Sequence, residues 1–386
     1  LDKKERIDRC LKQAVENGEI AGGCVLFIEN GLEVCYAKAG WAAIESHTPI
    51  RRDTIFRLYS MTKPITAAAV MILMEEGLLD LYEPVANYIK TFEGQKVIVG
   101  NTLAAAERTM TIRDLLSMTS GLVYPGKLNC AEKETAHVFE ELTKRMYSSA
   151  PMDTIEFAEK IGNCPLAFHP GESWQYGVSA DILGAVVESV SQMRFGDFLW
   201  KKIFKPLGMQ DTGFYLQEDK KERLADVYEN RKGIGLKLFS QDHLGIRIDA
   251  KPNSFESGGG GLFSTVDDYA RFAQMLLNGG ESGDVRIMQP ETIRYLTGCG
   301  LDGKRQDKFS NWFGLDGHSY GNLMRVLYDR KLAGVLGSEG EYGWDGWLGT
   351  YFVNDPVRKI TFLFMTQIKD FGTTNLTRKI KNIIFS

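Results

Sequence analysis

Apolar positions repeat with a helical period over residues 5–18, predicting an amphipathic helix that stops at Asn17-Gly18. Two β-rich runs follow, Gly23–Ile28 and Leu32–Ala37, on either side of Glu29-Asn30-Gly31. Strand-like sequence around Asn-Gly is a strong hairpin signal. A second strand-rich zone lies far down the chain. It comprises Gly349–Val353, the turn Asn354-Asp355-Pro356, and Lys359–Thr366, and a closing helix is predicted over Thr374–Phe385. Strand pairs in both terminal regions imply one antiparallel sheet assembled from them.

The middle has a different pattern. Helical periodicity marks Thr111–Ser117, Met152–Ile161, Ser179–Val190 and Phe195–Ile203, whereas 217–256 is polar and weakly periodic, as expected of long surface loops. Ser257 and the glycines 258–261 then lead into a predicted helix over Val266–Leu277, the glycines serving a tight approach to the sheet. The expected fold is α/β (α+β), an antiparallel sheet flanked by helices with an inserted all-helical domain. Its sheet domain takes residues 1–95 and 255–386, and 96–254 forms the mainly helical domain with long loops.

The most informative helix opens at Tyr59-Ser60-Met61-Thr62-Lys63 and runs through Met74 to a stop at Glu75-Glu76-Gly77. Pro64 is tolerated only in a first turn, whose N–H groups lack intrahelical partners. Ser60 therefore sits at the positive end of the helix dipole, with Lys63 one turn on, on the same face. The helix body is apolar nearly all round and must be buried. A serine hydroxyl needs a base to become a nucleophile, and a desolvated lysine gives up its proton more readily. Ser-x-x-Lys is expected by chance once or twice in a chain this long, so position carries the signal; the plain alternative is a solvated lysine beside a capping serine.

Composition removes other classes. A chain of 386 residues with 44% hydrophobic and 25% charged residues is ordinary globular protein. A net charge of −4 implies no nucleic-acid or anionic-membrane partner, and no apolar run reaches membrane-spanning length. Cysteines 10, 24, 35, 130, 164 and 299 show no CxxC pairing and read as free thiols packed as small hydrophobes, which favours a cytoplasmic location. The chain starts at Leu1, so a removed leader stays open. Histidines 47, 137, 169, 243 and 318 have no metal-ligand spacing and read as structural or exposed. Gly298–Gly303 matches G-x-G-x-x-G but follows no strand, so a surface turn is expected. Neither metal nor cofactor is expected.

The Ser60 run resembles the serine β-lactamase and penicillin-binding-protein superfamily, closest to its class C branch and the family VIII carboxylesterases. Four further landmarks fall in that family's order: Thr111–Gly121, Phe168–Tyr176, Pro206–Thr212 and the glycine run with Leu262–Thr265. The resemblance implies that Tyr176, with Lys63, moves the proton of Ser60 in acylation and activates water in deacylation. The family's Y-x-N motif is here Tyr176-Gly177-Val178, without the asparagine that binds a β-lactam side-chain amide. Its third motif is Trp344-Asp345-Gly346, the esterase form, without the lysine that pairs with a β-lactam carboxylate. The resemblance implies an oxyanion hole from the N–H groups of Ser60 and Trp347, and a substrate-binding surface from Val178, Trp344, Asp345 and Gly346. Asp345 itself is expected to be a turn residue facing solvent.

The favoured reading is a carboxylesterase of small short-chain esters that forms an acyl-enzyme on Ser60. A β-lactamase or D-amino-acid peptidase, and an acyltransferase, remain alternatives. A silent binding protein that senses penicillin, peptidoglycan fragments or acyl ligands is the different class, disfavoured by retention of Ser60, Lys63 and Tyr176. The expected partner is a small ester or amide molecule, with no nucleic acid or membrane span, and the sequence is silent on oligomeric state.

Overall fold

The computed structural model describes residues 2–231, 233–312 and 315–386. Helix α1 (Lys3–Glu16) begins at an Asp2/Glu5 capping box and buries Ile7, Leu11 and Ala14. Strands β1 (Gly22–Glu29) and β2 (Leu32–Ala43) meet at Asn30 and Gly31, whose φ values of 52° and 77° are both left-handed. That conformation is why an Asn-Gly pair closes the hairpin.

The main sheet continues with β3 (Thr48–Pro49), β4 (His318–Tyr320), β5 (Arg325–Leu327), β6 (Tyr342–Asp345), β7 (Tyr351–Asp355) and β8 (Ile360–Thr366). Its eight strands run in the order β4-β5-β6-β7-β8-β1-β2-β3, every pair antiparallel. The junction of the two terminal regions is the β1–β8 ladder, from Gly23 opposite Thr366 to Glu29 opposite Ile360.

Alternate residues of these central strands feed two cores, as a period of two demands. Val25, Phe27, Phe362 and Phe364 join the apolar faces of α1 and the C-terminal helix α8 (Asn375–Phe385). Cys24, Leu26, Leu363 and Met365 join the larger core on the other side. Burial on both faces explains why Ile360–Thr366 is an almost unbroken apolar run.

The larger core holds α2 (Lys63–Glu75), in which every residue from Lys63 to Leu73 is buried. Around it lie α3 (Ile112–Leu116), α4 (Cys130–Arg145), α5 (Thr154–Gly162), α6 (Ser179–Ser191) and α7 (Val266–Leu277). Helix α4 goes beyond the expected set, although Ala131, Thr135, Val138, Phe139 and Leu142 give it a buried stripe and Asn129 caps it. The tract 217–256 is not all loop, since Val227–Arg231 and Gly235–Phe239 pair as a hairpin.

The glycine run corrects another expectation: these residues approach helices rather than the sheet. A Cβ on Gly258 would lie 2.3 Å from the Ala180 carbonyl oxygen, and one on Gly259 would lie 2.7 Å from the Asp181 carboxylate, both on α6. All six cysteines are free; three are buried, but Cys130 and Cys299 are exposed. Among the described residues, no helix is long and apolar enough to cross a membrane.

Candidate active site

Ser60 lies in a tight 3-10 turn, Tyr59–Thr62, that winds directly into α2. The preceding Tyr59 has a φ of 44°, an unusual conformation for a bulky residue, and its ring is held against Trp347 and His243. Ser60 and Lys63 thus share a face, and the Lys63 Nζ donates to the Ser60 Oγ at 3.1 Å. Lys63 is wholly buried, and its other partners are the Tyr124 hydroxyl at 3.1 Å and the Gly259 carbonyl at 2.7 Å. Burial pulls its pKa down from 10.5 to about 7, against the opposing pull of Asp181 and Asp345. A neutral amine at this position can take a proton from the serine hydroxyl.

Tyr176 completes the cluster. Its phenol is hydrogen-bonded with the Ser60 side chain and accepts from the indole N–H of Trp344 at 3.1 Å. Burial pushes its pKa up, while those two bonds work in the opposite direction. The ring packs on Trp312 at 4.7 Å and lies 4.6 Å from the Lys63 ammonium nitrogen. These contacts hold the phenol toward the serine oxygen within an aromatic wall.

The turn after β6 is pressed against the chain just before the nucleophile. A Cβ on Gly346 would fall 2.2 Å from the Leu58 carbonyl oxygen, and the Thr350 hydroxyl donates to that same oxygen at 3.0 Å. Only glycine fits, and the next residue, Trp347, lines a cavity of about 170 Å³ together with Ser60, Tyr124 and Tyr176. The Trp347 N–H has no backbone acceptor among the described residues, as an oxyanion donor requires. The Trp347 ring stacks on His243 at 4.0 Å, and its indole N–H donates to Asp370 at 2.6 Å.

Three expected substrate contacts stand elsewhere. Val178 is fully buried at the start of α6 and faces the core, not the cavity. Trp344 is also buried; it stands behind Tyr176 as a hydrogen-bond donor instead of forming an open apolar wall. Asp345 is no solvent-facing turn residue, because the β5–β6 ladder brings Arg325 beside it and the two pair at 2.6 Å.

Several groups around the cavity carry no signal in the sequence. Tyr124 follows α3 in a loop without a motif, and Asp181 stands five residues beyond Tyr176. His243 and Leu244 belong to the tract expected to be surface loop, yet both line the cavity. Burial holds the His243 imidazole down at about 4, so it is neutral at ordinary pH.

The beta-lactamase family model matches residues 7–381, nearly the whole chain. The chain belongs to the beta-lactamase family. Among curated relatives of this beta-lactamase-family protein, Protein Rv1367c of Mycobacterium tuberculosis is 30% identical, covering 92% of this chain and 88% of that one. Esterase EstB of Burkholderia gladioli is 29% identical over 99% of this chain and 95% of its own. In fold it is similar to the solved structure of EstCE1, a hydrolase with promiscuous acyltransferase activity. That match has a TM-score of 0.83 at 23% identity and covers 100% of this chain and 98% of the other. The protein is a serine hydrolase of the beta-lactamase family with the penicillin-binding-protein fold.

Proposed function

We propose that this protein is a carboxylesterase acting on small, short-chain esters through an acyl-enzyme on Ser60. The observation that carries this reading is the buried Lys63 amine in hydrogen-bond contact with the Ser60 hydroxyl at a small, largely apolar cavity. Ser60 Oγ attacks the ester carbonyl as its proton passes to Lys63. The N–H groups of Ser60 and Trp347 hold the oxyanion, and Tyr176 relays the proton to the departing alkoxide. Water then enters, loses a proton to the same pair, and releases the acid.

Substrate size follows from volume. A cavity of about 170 Å³ is smaller than the roughly 300–1,000 Å³ of sites for drug-sized ligands, which favours short acyl groups. A β-lactam is disfavoured because the motif asparagine and lysine that would hold its amide and carboxylate are missing, Val178 facing the core and Trp344 standing behind Tyr176. The 29% identity to Esterase EstB supports the ester reading.

The test is a series of p-nitrophenyl esters from acetate to laurate beside a chromogenic cephalosporin. Ester turnover highest for acetate or butyrate, well above cephalosporin opening, is the expected result. Faster opening of the cephalosporin would replace this reading with that of a β-lactamase.

A further inference from the structure

Resting on that reading, we propose that Asp181 is a positioning residue and the counter-charge that lets buried Lys63 accept the proton of Ser60. Asp181 lies in the first turn of α6 and is 3% exposed. Its Oδ1 accepts from the Ser257 hydroxyl at 2.5 Å and from the Gly259 N–H at 3.0 Å. The carbonyl of that same Gly259 accepts from Lys63 Nζ at 2.7 Å. The backbone of one residue, Gly259, therefore connects the carboxylate to the lysine, and only glycine leaves room for it.

The charges around Lys63 single out Asp181. The other carboxylate acting on the lysine is Asp345, which is already paired with Arg325 at 2.6 Å. Tyr124 and Tyr176 face the amine as neutral phenols, because burial raises both. Asp181 has no lysine or arginine salt bridge among the described residues, so its charge remains uncommitted. Burial raises Asp181 and lowers Lys63, and each charge offsets the penalty on the other.

The consequence falls on one step. When Ser60 Oγ bonds to the acyl carbon, its O–H bond breaks and an N–H bond forms on Lys63. An ammonium then exists on a fully buried side chain, and the fixed carboxylate stabilises it until the proton moves to the leaving alkoxide.

The test uses Asp181→Asn, which keeps the shape and both acceptor bonds but removes the charge. The readout is the rate at which a fluorophosphonate labels Ser60, followed by intact mass between about pH 5 and about pH 9. Losing an opposite charge at close range lowers a lysine pKa by about one to three units. The acid limb is therefore expected to move at least about one pH unit lower, and the plateau rate to fall roughly tenfold or more. A slower plateau with an unmoved limb would reduce Asp181 to a structural role and overturn the proposal. Ser257→Ala removes one anchor and leaves the charge, so its limb is expected to stay in place even if Asp181→Asn does not fold. A limb displaced in Ser257→Ala would assign the effect to loop position, and would also overturn it. Wild-type protein that is not labelled at Ser60 would remove the acyl-enzyme reading itself, and this inference with it.

Discussion

At the scale of single residues, the cluster is a proton circuit with few exits. Lys63 touches one hydroxyl that needs a base, one phenol and one carbonyl. Ser60→Ala is expected to abolish ester turnover with little change in the thermal melt, since no cap bond from that side chain stabilises the turn. Lys63→Ala and Tyr176→Phe should each lower kcat by about a hundred- to ten-thousand-fold. Their double variant should lose less than the product of the singles, because they act as one unit. The pH profile has a fixed sign. With Lys63 held at about 7 and active only as the free amine, kcat/KM should rise about tenfold per pH unit below that value and level off above it. An acid limb nearer the ordinary lysine value of 10.5 would show a solvated, ineffective base. Trp344→Phe keeps a ring behind Tyr176 but deletes its N–H donor; a kcat loss of roughly five- to tenfold is expected, near the worth of one hydrogen bond.

At the scale of elements, loop 240–250 carries more than its sequence suggested. Its polar, weakly periodic character conceals His243, Leu244 and Ile246, all of which line the cavity. Periodicity finds elements that face one core, whereas these side chains point to a place fixed by three other segments. Tyr124 and Asp181 were illegible for the same reason, since their partners lie 61 and 78 positions away. Ser60, Lys63 and Tyr176 were legible because a helix start and an ordered set of motifs are local signals. Leu244→Ala should enlarge the cavity, moving the preferred p-nitrophenyl ester toward longer acyl chains. The neutral histidines have a stability consequence. Unfolded histidine titrates near 6.5, but His243 and His318 are held at about 4 and about 3. The unfolded chain therefore binds more protons in that window, and folding stability should fall as pH drops from about 6.5 toward 4. His243→Phe, which retains an aromatic stack on Trp347, should flatten part of that loss in chemical-denaturation curves.

At the scale of the whole molecule, hydrophobic patterning was enough to foresee one sheet built from both terminal regions. The long apolar run 360–366 and the Asn30-Gly31 turn are local features with unambiguous physics. The Arg325–Asp345 pair was not foreseeable, because it depends on which strands become neighbours and in what register. The β1–β8 ladder also bears on how the protein comes into being. Chain emerging from a ribosome exposes β1 and β2 early, while the strand that covers the open edge of β1 is made some three hundred residues later, at about 5–20 residues per second. For tens of seconds the nascent hairpin presents an unpaired, apolar edge, the kind of surface that invites association with other chains. Non-local pairing of this order also makes refolding slow. Expression at lower temperature or with extra chaperone should therefore raise the soluble yield more than it raises the melting temperature or specific activity of the recovered protein.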